Sequence, residues 1–532
     1  MALIIRNLRL APEENEALLF SKAAAALGVH GDDVKNLRIV RRSLDARKKS
    51  DVHFLYSVRV ETDGEETLLK RCGSDVEREE KQERTPIRHG DKKLCGRPVV
   101  VGSGPCGMFA ALTLAREGYR PVVIERGAPV EQRSGEVERF FSTGELNEDS
   151  NVLFGEGGAG TFSDGKLTTR IKDPKCKDVL CDLARFGAEE SAIYDAKPHI
   201  GTDVLRKVVA GIRGEILSLG GEYRFLTKVT GLTVEQGELR AVAAEGGMIQ
   251  TSACILACGH SARDVYAFLN GEGVELAGKP FAAGVRIEHP REMIDAAQLG
   301  RFAGNPRIGA AEYHLTDKQG DRGVYTFCMC PGGYVVASAS EKGGVVTNGM
   351  SYSDRGGKNS NSAIVVSVSP EDFGYGAMNG IAFQRELERA AYQLGGGGYL
   401  APAQRAADFL SKRPSKGFGG IEPTYRPGTT PCDLSRCLPD FIADGIRKAL
   451  PVFGRMLKGF DIGDAVLTAV ESRTSSCVRI ARNADYQSPS ARGLFPAGEG
   501  AGYAGGIVSA AVDGVRAAEA LIGIFASGGY DD

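Results

Sequence analysis

The chain has 532 residues with 66 basic and 68 acidic side chains, a net charge of −2, so no overall field draws it to nucleic acid or a membrane surface. No apolar run approaches the roughly 20 residues of a membrane span, and Met1–Leu10 alternates Ile and Leu with polar residues, unlike a signal peptide. The 12 cysteines include no CxxC, so neither a thioredoxin-type couple nor a four-Cys zinc site is signalled, and the 7 histidines show no metal-ligand spacing; we expect reduced thiols and a cytoplasmic location.

The length suggests two to four domains. Residues 1–75 read as a separate α+β module of ferredoxin-like type. Met1–Leu10 is a strand, and Pro12–Leu27 is a helix with Pro and acids in its first turn. Leu37–Leu44 is a second strand, and Val52, Phe54, Tyr56, Val58 and Val60 alternate along another. Arg41, Arg42, Arg47, Lys48 and Lys49 mark a basic hairpin tip. Asp45 and Asp51 interrupt it and no RNP-type aromatic pattern accompanies it, so a solvated hairpin end is expected and nucleic acid is not. Residues 76–96 form a linker, whose charged run Glu77–Arg84 is a connector or exposed helix.

Residues 97–265 open with an α/β unit that defines the chemistry. Pro98–Val101 is an apolar strand, followed by Gly102-Ser103-Gly104-Pro105-Cys106-Gly107, a helix, and a second strand ending at Glu125-Arg126-Gly127. Gly102 permits the tight turn, Gly104 lets backbone approach a pyrophosphate, and Gly107 lets the helix sit close to the sheet. The helix N-terminus faces the diphosphate, and Glu125 can take both hydroxyls of an adenosine ribose. Residues 154–167 form a glycine-rich loop with Gly155, Gly157, Gly158, Thr161, Ser163 and Lys166. Tyr223–Val229 is a strand, and residues 251–260 form another that closes on Ala257-Cys258-Gly259.

An insertion at 266–460 follows. It begins with strands at Phe281–Ile287, Gly323–Cys330, Tyr334–Ala339 and Ile364–Val368, then turns to helices at Ala382–Leu394, Ala403–Leu410 and Asp440–Leu450. A β-sheet platform with a helical lobe, acting as a substrate or cap domain, is expected. Residues 461–532 return to the dinucleotide domain with a short strand, a glycine-rich turn through Gly498-Glu499-Gly500, and a small-residue helix opening near Gly506-Ile507.

That C-terminal segment resembles the second FAD motif of the glutathione-reductase-like flavoprotein superfamily. The resemblance implies FAD, with Glu499 at its ribityl–phosphate region and the helix at Ile507 aimed at the flavin. It also implies that backbone at Lys228 and Val229 meets the adenine, that Ala257-Cys258-Gly259 is the cofactor-proximal strand end, and that the 154–167 loop covers the pyrophosphate and flavin. Over its full length the chain is similar to bacterial FAD-dependent dehydrogenases of largely unassigned function. The segments concerned are Arg42–Lys49, Phe154–Leu167, Gly259–Asp264, Gly284–Pro290, Phe327–Gly333, Asn348–Ser351 and Glu471–Ser475. Cys106 stands where Ala is more usual, and Cys477 where Pro is common.

No second strand–GxGxxG–helix–acid unit follows, and Gly395–Gly398 reads as a helix C-cap. Either the substrate itself reduces the flavin, or NAD(P)H docks transiently in the substrate cleft. Outside the flavin loops several residues are candidates for chemistry. Cys328 and Cys330 are a redox-active thiol pair, a thiol lining the flavin face, or a small apolar pair before a turn. In a plain strand they lie about 6–7 Å apart on one face, so a disulfide needs local bending. His260 can shuttle protons near neutral pH, with Arg263 beside it, or cap a helix. Arg286, Glu288 and His289 bind a carboxylate or form a buried ion pair. Arg473 is the expected anion anchor. The function that follows is an FAD-dependent oxidoreductase passing a hydride between a small-molecule substrate and flavin N5. An RNA-modifying flavoprotein and a redox sensor with structural FAD are the alternatives.

Overall fold

The computed structural model describes residues 2–80 and 86–528. The N-terminal module is a four-stranded antiparallel sheet in the spatial order Lys35–Asp45, His53–Glu61, Ala2–Leu10, Val76–Arg78. Helices Leu18–Leu27 and Glu65–Arg71 share one core with its apolar face. Along His53–Glu61 every second residue is buried, as the alternation Phe54, Tyr56, Val58, Val60 requires. The first helix starts at Leu18 rather than at Pro12 because side chains take the preceding amides. Glu14 Oε2 accepts from Ala11 N–H and Asn15 Oδ1 from Ala17 N–H, both at 2.8 Å. The connector expected over Glu77–Arg84 begins instead as a strand, Val76–Arg78 pairing with Leu3–Ile5. Its residues 81–84, with residue 85, lie outside the described residues.

The basic tip is only partly solvated. Arg41, Arg47, Lys48 and Lys49 are exposed, but Arg42 forks onto Asp195 of the flavin domain, Nε to Oδ1 at 2.6 Å and Nη2 to Oδ2 at 2.7 Å. Its backbone exchanges bonds with Tyr194 and Ala196, each 2.8 Å. The sequence places Arg42 in solvent; in the structure it fastens one domain to another.

The flavin domain is a five-stranded parallel sheet, in the order Leu494–Pro496, Cys254–Leu256, Val99–Val101, Val122–Ile124, Glu222–Arg224. Its central strands are apolar throughout because both faces are covered. Helices Pro105–Arg116, Thr202–Ser218 and Ile507–Ile522 pack on one face. The antiparallel strands Val229–Glu235, Glu238–Ala244 and Gly247–Gln250 contribute Val229, Leu232, Leu239 and Val242 to the core on the other. The strand expected over Tyr223–Val229 is therefore two: the parallel edge strand ends at Arg224, and the antiparallel layer starts at Val229.

The cap is a seven-stranded sheet ordered Thr316–Gln319, Arg322–Cys330, Asn359–Val368, Phe281–Pro290, Val466–Glu471, Ala401–Arg405, Thr429–Pro431. Helix Asp440–Met456 adds Ile442, Ile446, Leu450 and Phe453 to the core beneath it. Two expectations change here. Ala403–Leu410 is not one helix but a strand to Arg405 and a single helical turn after it. Val466–Glu471 pairs antiparallel with Phe281–Pro290, so the flavin domain resumes only after Glu471, and not at 461. That strand delivers Glu471 from the cap sheet to the boundary between the domains.

Helix Val130–Thr143 positions the loop after it through one side chain. Arg133 is fully buried, and its guanidinium donates to the carbonyls of Asn151 (2.8 Å), Val152 (2.9 Å), Gly155 (3.2 Å), Glu156 (2.6 Å) and Gly158 (2.9 Å). Burial lowers its pKa only to about 10, so the cation persists at neutral pH. Arg133→Leu strands these carbonyls without donors. We expect a loss of about 3–5 kcal/mol, read as a lower calorimetric melting temperature; a melt unchanged from wild type would contradict this role.

Candidate functional site

A cavity of about 930 Å³ lies between the carboxyl ends of the parallel strands and the cap sheet, at the upper end of the roughly 300–1,000 Å³ of ligand sites. It opens beside Val99–Val101, where the chain moves to Val122–Ile124 on one side and Cys254–Leu256 on the other. This is the switch point at which open α/β sheets bind ligands.

The flavin-domain wall is a cradle of backbone. Gly102 has φ +97°, and a Cβ on Gly107 would stand 1.9 Å from the Gly102 carbonyl, so the helix can start this close to the strand only with glycine. Nothing but Gly158 Cα comes within 4 Å of a Cβ built on Gly104. Helix Pro105–Arg116 begins at Gly104 with no side-chain cap, and helix Ile507–Ile522 begins at Gly506 in the same way. Two uncapped helix N-termini thus border one cavity, each offering free N–H groups and partial positive charge. A glycine cradle, two anion-seeking helix ends and an acid at Glu125 suit the diphosphate, ring and ribose of FAD.

Glu125 does more than border the cavity. It lines the cavity and also accepts the backbone N–H groups of Ser103 (2.8 Å), Gly127 (2.9 Å) and Gly155 (3.0 Å). One carboxylate ties three loop segments, and Oε2 keeps a lone pair for a ligand hydroxyl.

The cavity wall includes Gly102, Gly104, Pro105, Cys106, Glu125, Arg126, Gly158, Ser163, Lys166, Val229, Ala257, Cys258, Gly259, Glu499, Gly506 and Ile507. Eight residues expected at the cofactor stand behind it. Gly107 and Gly127 are there for packing; a Cβ on Gly127 would lie 2.5 Å from Gly155 Cα. Gly155 itself packs on Arg133, and a Cβ on Gly157 would meet Thr161 Oγ1 at 2.0 Å. Ser103 spends its carbonyl on Gly157 N–H (2.7 Å), and the Thr161 carbonyl accepts the Thr202 hydroxyl. Gly498 N–H donates to Asp513 (2.7 Å). Lys228 turns its ammonium to Asp264 (3.2 Å) and its carbonyl to Glu245 N–H (2.8 Å), while its neighbours Thr227 and Val229 line the cavity.

The expected catalytic residues also need revision. Arg473 lines the cavity, but its fork is engaged by the buried Glu388, Nε to Oε1 at 2.9 Å and Nη2 to Oε2 at 2.8 Å, with Nη1 on Ser340 at 2.6 Å. Arg263 grips the same carboxylate (2.7 and 2.8 Å). Arg473 is therefore a member of a buried ion network rather than a free anion anchor. His260 is on the wall, but burial and then the Arg473 and Arg263 cations depress its pKa to about 3. It rests as a neutral imidazole near pH 7. Cys328 lines the cavity, whereas Cys330 is fully buried behind it. Burial pushes the Cys258 thiol up to about 12.

Arg286 lies fully buried in the cap sheet. It donates to Asn361 Oδ1 (Nε, 3.1 Å) and the Cys328 carbonyl (Nη2, 2.9 Å), with Nη1 3.6 Å from Glu471. Glu288 is committed to Thr424 and Asn359, and His289 to the Phe460 carbonyl at 2.6 Å. Two carboxyls now stand out that sequence reasoning did not choose for acid–base work. Glu471 and Glu499 both line the cavity, and burial raises each pKa to about 7, against the opposing pull of Arg286 on Glu471 and Lys279 on Glu499. The available signal for Glu471 was an acid ending the mostly apolar strand Val466–Glu471.

Comparison with known proteins agrees with this geometry. Residues 280–474 match the family described as FAD-dependent protein, C-terminal domain-like. Residues 96–286 match pyridine nucleotide-disulphide oxidoreductase, and residues 2–61 a domain of unknown function. An uncharacterised protein of Clostridium beijerinckii is 48% identical over 526 residues, covering 98% of this chain and 99% of its own. The chain belongs to that protein's family of FAD-dependent proteins, and it is an FAD-binding oxidoreductase. Among solved structures, a glycine oxidase of Bacillus cereus aligns at 10% identity over 80% of this chain and 94% of that one, TM-score 0.33. A geranylgeranyl bacteriochlorophyll reductase-like protein of Thermoplasma acidophilum aligns at 12% over 81% and 78%, TM-score 0.36. Among the described residues no helix is long and apolar enough to cross a membrane.

Gly107→Val tests the cradle. The added side chain strikes backbone, so we expect purified variant with less than about a tenth of the wild-type flavin content, measured as FAD absorbance per chain. Full flavin content would contradict the packing argument.

Proposed function

We propose that the protein is an oxidoreductase for a small-molecule substrate held between the cap sheet and FAD. When bound, FAD supplies hydride-transfer chemistry at N5. The observation that carries the reading is that the uncapped N-terminus of Ile507–Ile522 and the buried carboxyl of Glu471 line the same cavity from opposite domains. The helix end stabilises negative charge on its side of the cavity. Glu471, with a proton affinity near neutrality, takes the proton that the substrate loses as its hydride departs, or returns it in the reverse direction. His260 offers a neutral imidazole on the same wall, and the Glu388–Arg473–Arg263 network holds that wall in place.

No second dinucleotide motif follows the first, so a nicotinamide donor, if used, enters through the substrate side of this cavity. The module at residues 2–80 has the β-α-β-β-α-β order that we assign to the ferredoxin-like arrangement. Its Arg42 is engaged by Asp195, which favours a docking role over RNA contact.

The test is an anaerobic screen of NADH, NADPH and a metabolite panel, followed at the flavin absorbance band. We expect at least one compound to bleach it; bleaching by dithionite alone would contradict the proposal. A second prediction concerns Glu471. Folded, it keeps its proton to about pH 7, whereas unfolded it releases it near 4.5. The unfolded state thus binds fewer protons between these values, and stability falls as pH rises through this window. In Glu471→Gln that contribution is absent, so the variant should gain on wild type by up to about 3 kcal/mol from pH 5 to pH 8. Parallel melting-temperature profiles would refute the buried protonated carboxyl.

A further inference from the structure

The end of strand Arg322–Cys330 departs from regular geometry. Its register against Asn359–Val368 slips between Phe327 and Cys330, and Cys328 has φ +43°. A plain strand would hold the two cysteines too far apart, since a disulfide requires Cβ atoms about 3.5–4.5 Å apart. The bulge replaces plain-strand geometry at this pair. The Cys330 thiol reaches back to the Cys328 carbonyl at 3.3 Å.

The surroundings make the pair unequal. Cys328 lines the cavity and Cys330 is fully buried behind it. Arg286 Nη2 spans both, donating to the Cys328 carbonyl at 2.9 Å and to Cys330 Sγ at 3.6 Å. Lys166 Nζ donates to the carbonyl of Met329 between them. The hydrogen bond from Cys330, and then the Arg286 and Lys166 cations, lower the proton affinity of Cys328, while Cys330 is pushed up by its thiolate neighbour and burial. One buried cation, Arg286, and one half-buried cation, Lys166, thus donate to a three-residue segment, which a pair of small apolar fillers would not require.

We propose that Cys328 and Cys330 are a dithiol/disulfide couple on the cavity wall that exchanges with small-molecule disulfides, Cys328 as the attacking thiolate and Cys330 as the resolving thiol. The Cys328 thiolate attacks one sulfur of RS–SR, forming a Cys328–S–SR bond and releasing RS⁻. Cys330 then gives its proton to the departed RS⁻ and attacks Cys328 Sγ, closing the internal disulfide and releasing the second sulfur as RS⁻. One protein thiolate and one protein thiol are oxidised, one external disulfide is reduced to a thiol and a thiolate, and no other oxidant enters. This chemistry is read on the cysteines themselves, so it stands or falls separately from the hydride reading.

The experiment treats pre-reduced, desalted holoprotein with glutathione disulfide at pH 7, traps remaining thiols with iodoacetamide, and maps peptides by mass. Wild type should yield a Cys328–Cys330 disulfide, and Cys330→Ser should stop at a glutathione adduct on Cys328. In unoxidised holoprotein, Cys328 should alkylate at least about tenfold faster than the exposed Cys95. Retained flavin absorbance verifies the fold of each variant. Both cysteines left alkylatable in wild type, or a Cys330→Ser protein carrying no adduct at Cys328, would overturn the proposal.

Discussion

Everything near the cofactor depends on satisfying backbone that has been packed without side chains. Glycine-rich segments can approach one another and a dinucleotide closely, but their buried carbonyl and amide groups must then find partners. Two side chains meet this demand from opposite signs. Arg133 supplies donors to five carbonyls of residues 151–158, and Glu125 accepts amides from residues 103, 127 and 155. The aromatic face of Phe162 lies against the guanidinium, 4.9 Å from ring centroid to Cζ. With the loops fixed in this way, the ends of two helices can be left uncapped toward the cavity.

The dinucleotide unit was legible in the sequence because each of its constraints selects a residue type. A sharp turn at Gly102, a close helix at Gly107 and an acid at Glu125 leave few other readings. Gly155, Gly157 and Gly498, which carry the same glycine signal, pack closely on Arg133, Thr161 and Cys106. Glycine reports closeness, and sequence does not say whether the close neighbour is a ligand or another stretch of backbone. Arg133 was invisible for the opposite reason: an arginine on an amphipathic helix reads as solvent-facing until its carbonyl partners, about twenty residues away, are known.

The cap was less legible. Val466–Glu471 is apolar enough for either sheet, and only pairing with Phe281–Pro290 assigns it to the cap and sets Glu471 against the cavity. Arg473 looked free because its partner Glu388 belongs to helix Asn379–Gly395, far away in the chain. The bulge at Cys328 breaks the period-two spacing on which the sequence estimate relied. Long-range pairing decides all three, and none leaves a local pattern.

The account converges on one placement of FAD, and a crystal structure of the holoprotein tests it most directly. The account predicts adenosine at Glu125, diphosphate before the N-terminus of Pro105–Arg116, and the flavin ring beneath Ile507, with Cys328 and Glu471 across the cavity from it. Flavin density outside this cavity, or running in the reverse direction along it, would contradict the account.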